Sequence, residues 1–190
     1  MISRAPQRFS FADYVELEER ATVRHEFLDG WVWAMAGGSP THARIAANVT
    51  TLLNGMLRDR PCAVFSSDLR IRSSETGLTT YADVTVVCGE LELDSEDQSG
   101  HTALNPSLVV EVLSPSTEDY DRGEKLGHYR TIASMRCVVL VSTDTYQVDV
   151  WSRDEAGWSS KSFCEGAADL ASMGSQLELA EVYRDPLQHP

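Results

Sequence analysis

The chain has 190 residues, enough for one domain with a sizeable core, and its 42% hydrophobic and 24% charged content is ordinary for a soluble globular protein. No apolar run approaches the ~20 residues that span a bilayer, and a net charge of −13 argues against non-specific binding to phosphate backbones. The opening Met1-Ile2-Ser3-Arg4-Ala5-Pro6 lacks the apolar core of a secretory signal, so a cytoplasmic location is expected.

The charge is unevenly spread. Up to Arg72 there are nine basic and eight acidic side chains, whereas Ser73 to Asp121 holds eleven acids and no lysine or arginine. Much of that excess falls in 89–100, which reads as a solvated surface loop. The four cysteines, Cys62, Cys88, Cys137 and Cys164, form no C-x-x-C pair. Free thiols in a reducing compartment are expected rather than a zinc site.

In chain order, Ser10 caps a short helix from Phe11 to about Arg20, with Asp13 three residues on. Asp29-Gly30 lies between two apolar-polar runs and signals a hairpin. Ser39 and Pro40 are a helix cap and first-turn residue, and Ile45, Val49, Leu52, Leu53 and Met56 then share one helical face. Strands are predicted at 62–66, 68–72, 81–88 and 108–113, followed by a helix over 121–132. Two further strands, 137–142 and 146–152, flank a turn at 143–145, with another strand near 158–163. The segment 177–183 reads equally as strand or short helix. This order predicts an α/β (α+β) domain with a central mixed β-sheet flanked by helices.

Asp83 opens the apolar run Val84 to Cys88, and Glu111 sits inside Leu108 to Leu113. A carboxylate in a buried strand is costly unless it is paired or binds a cation. Two such groups on neighbouring strands suit Mg²⁺ (or Mn²⁺), which one or two carboxylates plus substrate oxygens suffice to hold. Only two lysines occur, and Lys125 is the better placed to serve such a site. The competing reading pairs the two acids with Arg70, Arg72 or Arg122, and Lys125 with Asp121 one helical turn back. Glu26 has an equivalent alternative in Arg24 or Arg44. His42 is read as bonding to its turn, and Asp68 as a turn or strand-cap residue. Tyr81 is placed on the same side of its strand as Asp83, and Trp31 and Trp33 are read as a core or dimer face.

The segments Arg24–Gly30, Ser39–His42, Ser67–Ile71, Tyr81–Val84, Glu111–Thr117 and Asp121–Lys125 together resemble the Uma-type family of restriction-endonuclease-like proteins, long catalogued as a domain of unknown function. The resemblance runs from about Phe9 to Tyr183, so the whole of 1–190 reads as one such domain with a core at about 9–183. It implies membership of the PD-(D/E)xK nuclease superfamily, a restriction-endonuclease-like core and a divalent-metal site. The motif acids fall on Asp83 and Glu111 as metal ligands and catalytic residues. Ala82 stands where the superfamily usually has proline. Leu113 stands where it usually has lysine, so the lysine role passes to Lys125. A glutamate that often joins the site from the first core helix has its candidate in Glu26. The function so implied is metal-dependent hydrolysis of DNA phosphodiester bonds by a homodimer, with no membrane role. The alternative is an inactive module of the same fold that binds a protein or nucleic-acid partner.

Overall fold

The computed structural model describes residues 8–187. Helix α1 (Phe11–Glu18) begins at a reciprocal capping box between Ser10 and Asp13. Strands β1 (His25–Leu28) and β2 (Trp31–Ala34) form the hairpin expected at Asp29-Gly30. Both turn residues take positive φ, 49° and 84°, as a two-residue type I′ turn requires. A side chain at Gly30 would also press on Arg8, its Cβ only 2.8 Å from that of Arg8. Helix α2 (Pro40–Leu57) starts where Ser39 accepts from the His42 amide, and it buries Ile45, Val49, Leu53 and Leu57.

The central sheet has six strands in the order β11-β10-β9-β8-β6-β3. They are β3 (Cys62–Ser66), β6 (Val84–Cys88), β8 (Leu108–Leu113), β9 (Cys137–Ser142), β10 (Val148–Asp154) and β11 (Gly157–Phe163). Only β8 and β9 run parallel, so the sheet is mixed as expected. The crossover that joins them comprises α3 (Glu118–Tyr120), a π turn at Asp121–Lys125 and α4 (Leu126–Thr131). Every residue of β8 and β9 is buried, because both faces are covered. Val110 and Val112 pack with α2 on one face. Val109 and Leu113 pack with Leu126 and Tyr129 of the crossover on the other. Strict alternation therefore turns Glu111 toward the crossover.

A second sheet of five strands, β2-β1-β5-β4-β7, accompanies the first. It adds β4 (Arg70–Arg72), β5 (Thr79–Tyr81) and β7 (Thr102–Ala103) to the hairpin. The run from Tyr81 to Cys88 is thus not one strand. It ends in the second sheet at Tyr81 and resumes in the first at Val84. That break overturns the expectation that Tyr81 and Asp83 share a side, since the Tyr81 hydroxyl donates to Glu18 at 3.1 Å. The undecided segment near the end is both things in turn. Strand β13 (Ser175–Glu178) pairs with β12 (Ala167–Leu170), then α5 (Leu179–Val182) follows.

Two further expectations are corrected. Cys62 and Cys88 are not free thiols but a disulfide, because antiparallel pairing of β3 with β6 sets them directly opposite. Cys137 and Cys164 are free. The acidic loop is not wholly solvated either. Asp94 and Asp97 are buried, where they meet Arg72 at 2.7 Å and Arg70 at 2.8 Å. No helix among the described residues is long and apolar enough to cross a membrane.

Candidate active site

Antiparallel pairing sets Val84 opposite Val110, so one step further along stand Asp83 and Glu111. The link is direct, for the Val112 amide donates to Asp83 Oδ2 at 2.7 Å. The crossover brings the lysine. Its π turn buries Asp121 and Lys125 together, and such turns recur at functional positions. Lys125 Nζ lies 3.0 Å from Glu111 Oε1, 3.0 Å from Glu26 Oε1 and 3.7 Å from Asp121 Oδ1. Glu26 comes from β1, in the other sheet, and is buried. Thr80 donates to its Oε1, while Trp33 Nε1 at 3.0 Å and the Tyr120 hydroxyl at 2.9 Å donate to its Oε2. The Tyr129 hydroxyl donates to Glu111 Oε1.

The four residues picked from the sequence therefore lie together: Glu26 and Glu111 both meet the Lys125 ammonium group, and Asp83 stands beside Glu111. The arginine alternatives do not arise. Arg70 is held by Asp97, Arg72 by Asp94 and Glu96, and Arg122 by Glu118 and Asp149. Arg24 pairs with Asp68, which sits in a turn as expected, and Arg44 with Asp185. The local Asp121–Lys125 contact exists but is longer than the two others. Glu26 belongs to a strand, as the hairpin reading had it. Trp31 is 51% exposed, whereas Trp33 serves Glu26.

His42 is the residue that the sequence reading underweights. Its backbone amide does bond to the Ser39 cap at 3.2 Å. Its side chain instead reaches Asp83 Oδ2, with Nε2 at 3.1 Å. Tyr120, Tyr129, Thr80 and Trp33 join the site too, without a sequence signal that places them there. Aromatic and hydroxyl residues carry no charge pattern, so only the fold discloses their role.

The electrostatics follow from burial. Burial pushes the Glu111 carboxyl up to about 8, and nearby Asp83 and Asp121 add to that, against the pull of Lys125 and the Tyr129 hydroxyl. Burial raises Asp121 as well. For Lys125 burial disfavours the charge, yet Glu111, Tyr129, Glu26 and Asp121 outweigh it and hold the ammonium well above its ordinary value. His42 is raised by its bond to Asp83, against the effect of burial.

These groups fit a hard divalent cation. Four carboxylates face one lysine and one histidine, an excess of negative charge that a cation would offset. Every hydrogen bond and ion pair to Asp83 ends on Oδ2, and every one to Glu111 ends on Oε1, among the described residues. Each acid thus keeps its second oxygen. Among the described residues no group of three or more His, Cys, Asp or Glu side chains is placed to hold a metal ion by itself. A site of two carboxylates completed by water matches Mg²⁺ better than zinc. A cleft of about 910 Å³ lies elsewhere, lined by Arg60, Cys62, Cys88, Asn105 and Arg136 among others, with none of the converging acids.

The architecture is a mixed α+β fold whose sheets are flanked by helices. It is similar, with a TM-score of 0.69 and 16% identity, to a crystal structure from Anabaena variabilis titled as "a putative nuclease belonging to DUF820", and the match covers 86% of this chain and 91% of that one. The chain belongs to the Uma2 family, described as "Putative restriction endonuclease", which it matches over residues 11–180. It is also similar to two Synechocystis proteins. The one named "Uncharacterized protein slr1290" is 34% identical over 97% of this chain and 98% of its own length. The one named "Uncharacterized protein sll1609" is 33% identical over 80% of this chain and 85% of its own.

Proposed function

We propose that this protein is a metal-dependent endonuclease that hydrolyses DNA phosphodiester bonds. The observation that carries the reading is the 3.0 Å contact of Lys125 with Glu111, itself beside Asp83 on the adjoining strand. It supports the transfer of the superfamily lysine from position 113, where Leu113 is buried in the core, to the crossover helix. Asp83 and Glu111 would hold Mg²⁺ or Mn²⁺. When bound, such a cation eases deprotonation of a coordinated water and offsets charge on phosphoryl oxygens. Glu26 and Asp121 keep Lys125 charged and aimed at Glu111. The ammonium then adds positive potential where phosphate charge grows in the transition state. Tyr129, on the next turn of the same crossover, fixes the Glu111 carboxylate beside Lys125. A two-fold pair of chains, implied by the family resemblance, belongs to the same proposal, and sedimentation tests it.

A second reading, a binding module without catalysis, draws on one observation. The Lys125 side chain is only 4% exposed and already faces three carboxylates. Cleavage assays on plasmid and single-stranded DNA, with Mg²⁺ or Mn²⁺ and with chelator, separate the two. The nuclease reading expects metal-dependent nicking that Asp83→Ala and Lys125→Ala abolish. Nicking that survives Asp83→Ala removes this site from the reaction. No nicking with any cation, beside tight binding of DNA or protein, favours the module.

A further inference from the structure

The His42 ring is held on two sides. Its Nε2 meets Asp83 Oδ2 at 3.1 Å, the same oxygen that takes the Val112 amide at 2.7 Å. On the other side lies Gly38, where an added Cβ would come within 2.5 Å of His42 Nδ1 and 2.9 Å of its Cγ. Those separations are far inside van der Waals contact, so residue 38 must lack a side chain for the ring to occupy its place. Gly37, next door, has nothing within 4 Å of an added Cβ. The ring is rooted in the first turn of α2, whose cap at Ser39 and buried face fix its base. Both members of the contact are mostly enclosed, the side chains 17% and 18% exposed.

From this we infer that His42 is a positioning residue, which clamps Asp83 from the helix side and directs the carboxylate's second oxygen toward the cation, with Gly38 as the seat of its ring. The inference rests on the reading of Asp83 as a cation ligand. A carboxylate held by one donor can rotate about its bond to Cβ. Held at one oxygen by two donors from different elements, it cannot. Groups that orient a metal ligand in this way typically govern affinity by 10–100-fold. The clamp also assigns a use to the Ser39-Pro40-Thr41-His42 turn beyond capping.

Calorimetry of MnCl₂ binding to the full chain tests it. His42→Ala and Gly38→Ala are each expected to weaken binding by about tenfold or more. His42→Gln, which keeps an N–H donor, should restore most of it, and Gly37→Ala should bind like the parent. Parent-like affinity in both His42→Ala and Gly38→Ala overturns the clamp. So does nitrogen coupling from His42 in pulsed resonance of bound Mn²⁺, since the ring would then be a ligand itself. If the parent chain binds no Mn²⁺, the nuclease reading falls, and the contact is judged by NMR of the cation-free protein. There the imidazole Nε2–H signal should be protected from exchange in the parent and in Gly37→Ala. It should be lost in Asp83→Ala and in Gly38→Ala. Protection unchanged by Asp83→Ala removes the clamp by that route too.

Discussion

Lys125 Nζ stands 3.0 Å from Glu26 and 3.0 Å from Glu111, so one buried ammonium ties a strand of the five-stranded sheet to a strand of the six-stranded one. Replacing it with an apolar chain of similar length leaves those acids and Asp121 facing each other without a cation. Lys125→Met is therefore expected to cost about 3–5 kcal/mol, the usual loss when one partner of a buried pair is removed. Urea unfolding at pH 7 measures it. Adding Glu26→Gln should recover part of the loss, since contacting residues couple by about 0.5–3 kcal/mol. Strictly additive losses in the double variant would mean that the two side chains do not share one charge cluster.

Arg70 and Asp97 form a second enclosed pair, with side chains 1% and 0% exposed. Burial works against the charged acid, but bonds from Ser99, Thr102 and Arg70 outweigh it and hold Asp97 well below its ordinary 3.8. A carboxyl whose folded pKa lies below its unfolded one stabilises fully above the unfolded value. That stabilisation drains away as the pH falls from about 3.8 toward the folded value. Asp97→Asn should thus cost about 3 kcal/mol or more at pH 7, with the gap to the parent narrowing below pH 3.8. Thermal melts from neutral pH down through pH 3.8 read this out. A gap that stays constant through the acid range would show that the charge on Asp97 contributes nothing.

Local signals are legible in the sequence because each depends on neighbours in the chain. The Asp29-Gly30 turn, the Ser39-Pro40 cap and the apolar face of α2 all state their geometry within a few residues. The Asp83–Glu111 pair and Lys125 were legible because charge inside apolar runs is costly enough to need a reason. What stayed hidden is long-range. Tyr81 and Ala82 lead into Val84 to Cys88 with no glycine or proline between them, so composition gives no sign that the chain changes sheets at Ala82 and Asp83. The partnership of Asp94 and Asp97 with arginines more than 20 residues earlier depends on how β7 joins β4. His42 shows only its backbone role in sequence, since its side chain is answered by an acid from a different element.

Cys62 and Cys88 illustrate the same limit, and they can be counted. Thiol titration of the denatured, unreduced chain should find two groups, and four after reduction, since Cys137 and Cys164 alone are free. The bridge closes a loop with a sequence separation of 26. Loop-closure entropy on that scale is worth roughly 2–4 kcal/mol, so Cys62→Ser with Cys88→Ser should lower stability by about that amount under non-reducing conditions. Four reactive thiols in the unreduced chain would return both cysteines to the free state expected from the sequence.

Glu111 links stability to function most directly. Burial, with Asp83 and Asp121 close by, pushes its carboxyl up to about 8, against an ordinary value of 4.5. An acid whose folded value is raised contributes stability at low pH and loses it as the pH rises through the folded value. Without a divalent cation, Glu111→Gln should therefore gain on the parent at pH 8.5 and gain little at pH 5 (about half a unit from either end of that window). The Tyr129 hydroxyl can still donate to the amide oxygen, and Lys125 keeps Glu26 and Asp121, so the variant is not expected to unfold. Saturating Mn²⁺ should reverse the order. At a hundred times its dissociation constant a ligand adds about 2.7 kcal/mol to the folded state, and that increment should largely vanish in Glu111→Gln. Melting curves at pH 8.5 with Mn²⁺ and with chelator give both halves. An equal Mn²⁺ shift in parent and variant would place any cation away from Glu111, and the stabilising effect of the amide would then be a matter of burial alone.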